Sequence, residues 1–426
     1  MQGPMLERRD LIRGLTALGA LTMLPPAAFA RKSPADWSPV RNYIDGLISP
    51  EKIPGLLGTI GVGNAEPTYI AAGTIAKDSR TPVGPDTLWR VYSMTKPISG
   101  MAAMMLIEQG KLKLDQNIAD FIPGFANPKV LVDPAKDLTS RPAQGPITIR
   151  HLLTHTAGLG YTIVTKGPLL QEYVRLGINP TSVSRTKFPG YSDIPTAPSL
   201  AEFADRLATL PLLFDPGAQW RYSVGLDLLG RIIELASGKS FDGFLQERMF
   251  DPLGMKDTFW QVPQKDVGRF VTGYMATPAI TLVIDPAATS IYLDKPAFPF
   301  GGSGLVMSAR DYDRFLWMLQ GHGAIGKVRV MAPATARLGM SNLLPAGVDT
   351  SGTILKGNGF GAGGGVATKS GPGDRGPGSF GWGGAAATIA WVDPAQGIRA
   401  TGFAQYAPEE TFGFPDGYTK AVYASL

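Results

Sequence analysis

An α/β (α+β) fold, an antiparallel sheet flanked by helices with an inserted, mostly helical domain, is what this sequence predicts. Three observations carry the prediction. Short, glycine-punctuated β-rich stretches lie near both ends of the chain, at 57–75 and again after about 285. Between them, residues 115–284 show helical spacing interrupted by proline-rich connections. One segment, Met94 to Gln109, is apolar nearly all round, which marks a helix buried on every side. Strands at both ends of a helical middle imply one α/β domain, residues 31–125 and 285–426, interrupted by a helical domain at 126–284.

The 426 residues suffice for a large core, with 44% hydrophobic and only 18% charged side chains. The net charge of +5 is spread without basic runs, so no nucleic-acid partner is expected. The chain has no cysteine, which excludes disulfides, thiol nucleophiles and thiolate metal sites.

Taken in order, residues 1–30 read as an export signal. Arg8-Arg9 precedes a short apolar stretch, Leu15 to Leu24, and Ala28-Phe29-Ala30 offers a cleavage site. The arginine pair resembles a twin-arginine signal, which predicts a periplasmic or secreted mature protein beginning at Arg31; the alternative is a loose N-terminal helix on a cytoplasmic protein. The apolar stretch is too short to span a bilayer, and nothing later is apolar enough. Residues 37–48 carry Val40, Ile44, Leu47 and Ile48 at helical spacing. Residues 57–63 and 68–75 form a predicted hairpin around Asn64-Ala65-Glu66-Pro67. The apolar helix of 94–109 ends at Gly110, and residues 161–200, rich in Pro, Thr and Ser, read as an irregular, lid-like loop. Further strands are expected at 298–306, 385–392 and 398–404, with helices at 309–320 and 417–425.

Serine followed three residues later by lysine occurs at Ser49, Ser93 and Ser184. Ser49 precedes Pro50 in a turn and Ser184 lies in a loop. Ser93 alone follows an extended stretch, Leu88 to Tyr92, and opens the apolar helix, where Lys96 shares its face. Amides at a helix start suit an oxyanion. A serine nucleophile needs a base, and only three histidines exist. His151 and His155 stand four apart on an expected helix, but lack the glutamate and third ligand of a zinc site. No Gly-x-Ser-x-Gly elbow occurs, so lysine or tyrosine is the favoured base. Two G-x-G-x-x-G matches, at Gly359 and Gly371, open no helix and are rejected as nucleotide loops; a hairpin beside residues 382–384 suits them better. No cofactor or metal is called for.

Ser93-Met94-Thr95-Lys96, Tyr222-Ser223-Val224 and Trp382-Gly383-Gly384 together resemble the three motifs of serine β-lactamases and penicillin-binding proteins. Supporting stretches cover most of the chain: Asp86 to Arg90, His151 to Leu159, Phe214 to Gly217, Pro252 to Met255, and Gly301 to Leu305. Within that superfamily the chain is most similar to the family VIII carboxylesterases, which look like class C β-lactamases. The resemblance implies the β-lactamase/transpeptidase-like fold, Ser93 as nucleophile, and Lys96 with Tyr222 as general base. It places the oxyanion between the amides of Ser93 and Ala385, and the substrate against Tyr92, Val224, Trp382, Gly383 and Gly384. On the residues alone, core packing is the favoured reading of Tyr222 and Trp382.

Two departures bear on substrate. The second motif ends in Val224, where β-lactamases carry asparagine, and the third begins with Trp382, where they carry lysine. Both replace groups that make charge-assisted or polar contacts to a lactam. A small-molecule carboxylic ester, of short to medium acyl chain, is the expected substrate. A β-lactamase or D,D-peptidase, an acyltransferase and a non-catalytic binding protein are the rivals. Oligomeric state is not legible.

Overall fold

The computed structural model describes residues 36–49, 51–179, 184–185, 195–369 and 373–426; the expected export signal and part of the expected lid, 180–183 and 186–194, lie outside them. Six helices concern the site: α1 (Ser38–Leu47), α2 (Thr95–Glu108), α3 (Ile149–Leu153), α4 (Gly225–Ser237), α5 (Ala309–Gln320) and α6 (Phe414–Ala424). Ten strands accompany them: β1 (Gly55–Val62), β2 (Thr68–Gly73), β3 (Leu88–Arg90), β4 (Thr258–Phe259), β5 (Val306–Ser308), β6 (Gly359–Phe360), β7 (Gly365–Val366), β8 (Phe380–Gly384), β9 (Thr388–Asp393) and β10 (Ile398–Phe403).

The principal sheet runs β6-β7-β8-β9-β10-β1-β2, antiparallel throughout. Alternation along β1 divides its side chains between two cores. Leu56 and Ile60 pack with Val40 and Ile44 of α1 and Phe414, Tyr418 and Val422 of α6. Leu57 turns the other way and joins the larger core around α2, α4 and α5. Gly58 is needed where it stands, because a Cβ there would lie 2.6 Å from the Tyr418 ring. Covered on both faces, β1 is buried along nearly its whole length.

Every residue of α2 from Thr95 to Leu106 is buried, as its mostly apolar composition leads one to expect, with Thr95, Lys96 and Ser99 as its buried polar residues. The expected helix at 309–320 is α5 to the residue, capped by Ser308, whose Oγ accepts from the Asp311 amide at 3.1 Å. Residues 168–175 of the expected irregular loop form a helix behind Pro168. The strand expected over 298–306 is a glycine turn at 301–303 followed by β5. Residues 258–285, read as the end of the helical insert, contain short strands instead. β4 pairs with β5, which pairs with β3; 273–276 pairs with 281–285 and, in parallel, with 406–407. Such two- to five-residue strands carry too little periodicity to be read from sequence.

This second region is fastened to β3 by a buried ion pair. Arg90 is fully buried, and its Nη2 lies 2.5 Å from the Asp285 carboxylate. The guanidinium also donates to Val271 O at 2.7 Å and covers the Phe270 ring at 4.1 Å. Removing one partner strands a buried charge, so Asp285→Ala should cost about 3–5 kcal/mol. Chemical denaturation measures it; a midpoint equal to wild type would show the pair contributes nothing.

Candidate active site

The site is built where α2 begins, where α4 begins and where β8 ends. β3 leads into Tyr92, whose φ of +42° is uncommon for a non-glycine residue. That kink opens a 3-10 turn, Tyr92–Met94, ahead of α2 and lifts Ser93 out of the strand direction. Tyr312 Oη donates to Met94 O at 2.9 Å and Leu305 N to Thr95 Oγ1 at 3.2 Å, fixing the turn on its protein side. Strained backbone fixed by its surroundings is a recurrent way to present a reactive group.

Two groups meet on the Ser93 hydroxyl. Lys96 Nζ donates to Ser93 Oγ at 3.1 Å and to Gly302 O at 2.7 Å, with the lysine completely buried. Tyr222 Oη donates to the same Ser93 Oγ at 2.7 Å, from the segment just ahead of α4. Lys96 Nζ lies 4.5 Å from the centre of the Tyr222 ring and 5.5 Å from that of Tyr161. Trp382 Nε1 donates to Tyr222 Oη at 3.2 Å, and its ring packs between Tyr222 and Phe360. The Tyr222 oxygen thus has a hydrogen-bond donor from β8 on one side and the serine on the other.

The expected residues fall into two groups. Ser93, Lys96, Tyr222 and Trp382 converge through hydrogen bonds. Gly383 is half-buried, Gly384 is buried, and Ala385, itself exposed, begins the turn after β8. Gly384 abuts Val91 O, so a side chain there would push β8 away from the serine turn. Val224 and Tyr92 were expected to touch substrate, and their positions correct this. Val224 is fully buried in the main core, its amide on Gly160 O at 3.1 Å, and presents no surface. Tyr92 turns its ring edge-on to Tyr292 in a separate small core, so it serves the site through its backbone.

The histidine pair also needs correction. α3 stops at Leu153, and His155 follows it at a φ of +58°, so the two rings share no helix face. His151 Nδ1 accepts from the Thr148 amide at 3.2 Å. His155 is fully buried, with Nδ1 2.9 Å from Ser223 Oγ and its ring 4.8 Å from that of Tyr222. Burial and the Lys96 charge hold its pKa well below the usual histidine value, so it buttresses the tyrosine as a neutral ring. Ser49 bonds Glu51 and Ser184 bonds Ile284 O, leaving Ser93 as the serine joined to both its lysine and a tyrosine.

Sequence reasoning missed three contributions. The Gly302 carbonyl holds Lys96, a role hidden because main chain has no signature; its only mark was the Gly301-Gly302-Ser303-Gly304 run. Trp382 acts as a hydrogen-bond donor as well as an apolar wall. His155 packs its ring against that of Tyr222, a contact the sequence did not mark.

A family model described as Beta-lactamase matches residues 40–424. "Protein Rv1367c" of Mycobacterium tuberculosis is 34% identical over 342 residues, spanning 78% of this chain and 80% of the relative. "Esterase EstB" of Burkholderia gladioli is 32% identical, over 58% of this chain and 60% of the esterase. "Acyltransferase calJ" of Penicillium decumbens is 31% identical, over 83% of each chain. Among solved structures, "EstCE1, a hydrolase with promiscuous acyltransferase activity" superposes with a TM-score of 0.74 at 27% identity, covering 90% of this chain and 97% of that one. The architecture is therefore the β-lactamase/transpeptidase-like fold.

Proposed function

The chain belongs to the beta-lactamase family, and from that membership we propose that it is a serine carboxylesterase acting on uncharged esters of short to medium acyl chain. The single observation that carries the chemistry is the convergence of Tyr222 Oη and Lys96 Nζ on Ser93 Oγ. With Tyr222 acting as the phenolate and the Lys96 ammonium offsetting its negative charge, Ser93 attacks the ester carbonyl as its proton passes along the 2.7 Å contact to the Tyr222 oxygen. The tetrahedral oxyanion sits between the amides of Ser93 and Ala385. Collapse expels the alcohol, which takes its proton from Tyr222 and leaves Ser93 acylated. Water then attacks the acyl-enzyme, gives its proton to Tyr222, and the acid departs as Ser93 regains its proton.

Trp382 supports the ester reading over a lactam one. At the start of the third motif it brings an indole instead of a cation, and its one N–H is already given to Tyr222. Nothing there offers a charge-assisted contact to a lactam carboxylate. The expected result is a kcat/KM at least about tenfold higher for p-nitrophenyl butyrate than for a chromogenic cephalosporin or a penicillin, the margin one lost charged hydrogen bond confers. A preference for the lactam, measured on the same preparation, would overturn the assignment.

Acyl transfer is the second reading, and the similarity to an acyltransferase over most of the chain favours it. The same acyl-enzyme serves both reactions, and an alcohol replaces water in the second half.

A further inference from the structure

We propose that Asp227 is a positioning residue for this catalytic centre: its buried carboxylate is the counter-charge that governs the protonation of the Lys96–Tyr222 pair, with Gly302 as the spacer between the charges. The inference rests on the Ser93–Lys96–Tyr222 reading.

Asp227 stands in the first turn of α4, five residues beyond Tyr222, so the segment that carries the base also carries this carboxylate. Its side chain is fully buried. Oδ1 accepts the Gly302 amide at 2.8 Å, while Oδ2 has no hydrogen-bond partner among the described residues. The carbonyl of the same glycine accepts from Lys96 Nζ at 2.7 Å. Ammonium and carboxylate therefore grip opposite ends of one residue. Gly302 must lack a side chain for this to work, since a Cβ there would lie 2.6 Å from Asp227 Oδ2.

A buried carboxylate with a single hydrogen bond is costly, and an apolar residue would fill the space better if packing were its only role. The charge that offsets it is Lys96. The other buried cations with carboxylate partners, Arg90 and Arg399, are taken by Asp285 and Asp313. The titratable groups facing Asp227 are Lys96 from α2 and Tyr161 from the segment after α3, and Tyr161 is itself influenced by Tyr222. His155, past α3, faces Lys96 and is held neutral. Burial raises the Asp227 pKa to about 6, and the Lys96 charge opposes that rise, favouring the carboxylate.

A nearby negative charge makes protons harder to remove from neighbouring groups. Deleting it without changing shape should therefore move both limbs of the kcat/KM–pH profile to lower pH. The experiment records that profile for p-nitrophenyl butyrate hydrolysis by wild type, Asp227→Asn and Asp227→Ser, with circular dichroism and thermal melting of each. A downward displacement on the order of one pH unit is expected in the folded uncharged variants, as for loss of a close charge. Asp227→Glu, which keeps the charge, should return the limbs toward wild type. Limbs that stay in place in either folded uncharged variant, with only the melting temperature lowered, would reduce Asp227 to a structural residue and overturn the inference. The reading beneath it fails separately, through a Ser93→Ala enzyme that still turns over.

Discussion

Ser93→Ala is expected to lower ester turnover by about five to six orders of magnitude, since removing a covalent nucleophile that works as a unit with its base forfeits most of the catalysis. The fold should persist, because Ser93 is half-buried and the turn is held by bonds from Tyr312 and Leu305 to its neighbours. Two controls sharpen the experiment. Ser49→Ala and Ser184→Ala should leave turnover near wild type, since those hydroxyls bond Glu51 and Ile284 O and touch neither member of the base pair. Stopped reactions examined by mass spectrometry should show one acyl group on the Ser93 peptide of wild type and none in the variant. Wild-type turnover in Ser93→Ala would remove the nucleophile and the proposed function with it.

Tyr222→Phe is expected to lower kcat by about 10²–10⁴-fold, the usual contribution of a positioned general base, with a smaller change in KM. Phenylalanine keeps the ring packed against His155, Tyr161 and Trp382 while removing the oxygen that reaches Ser93. Lys96→Met, which keeps the buried stem and removes the ammonium, should fall in the same range. The double variant decides between cooperation and independence. Because lysine and tyrosine converge on one oxygen, it should lose little more than either single. Losses that multiply would mean that the two act in separate steps, and the coupled base would have to be abandoned.

The parts of this fold that were legible in sequence are those whose pattern is long or chemically marked. β1, β2, α2 and α5 each run for six residues or more, with apolar spacing or mostly apolar content that admits one reading. Ser93, Lys96 and Tyr222 were read together because three motifs in order outweigh any one alone, and the structure brings their side chains into contact. Val224 shows the limit: an apolar residue beside a catalytic one fits a substrate wall and a core equally well, and only burial decides. His155 shows another, since a four-residue spacing implies a shared face only while the helix continues, and α3 ends first. Asp227 and Gly302 went unread for a third reason. Their roles are relations between distant segments, set by a glycine's missing side chain and a main-chain carbonyl, and neither has a local pattern.

The order of the principal sheet also bears on how the molecule comes into being. One of its pairings joins β1 to β10, from nearly opposite ends of the polypeptide, with Leu57 opposite Phe403 and Val62 opposite Ile398. During synthesis β1, with only β2 beside it, and the serine turn leave the ribosome early and must wait for almost everything else. Contacts so remote in sequence make folding slow and expose strand edges meanwhile. The third motif arrives on β8, next to β9 and β10, so the last strands to emerge complete both the sheet and the catalytic centre. A nascent or truncated chain lacking them carries Ser93 without Trp382 and the Ala385 amide proposed for the oxyanion, so on that proposal catalytic competence coincides with completion of the fold.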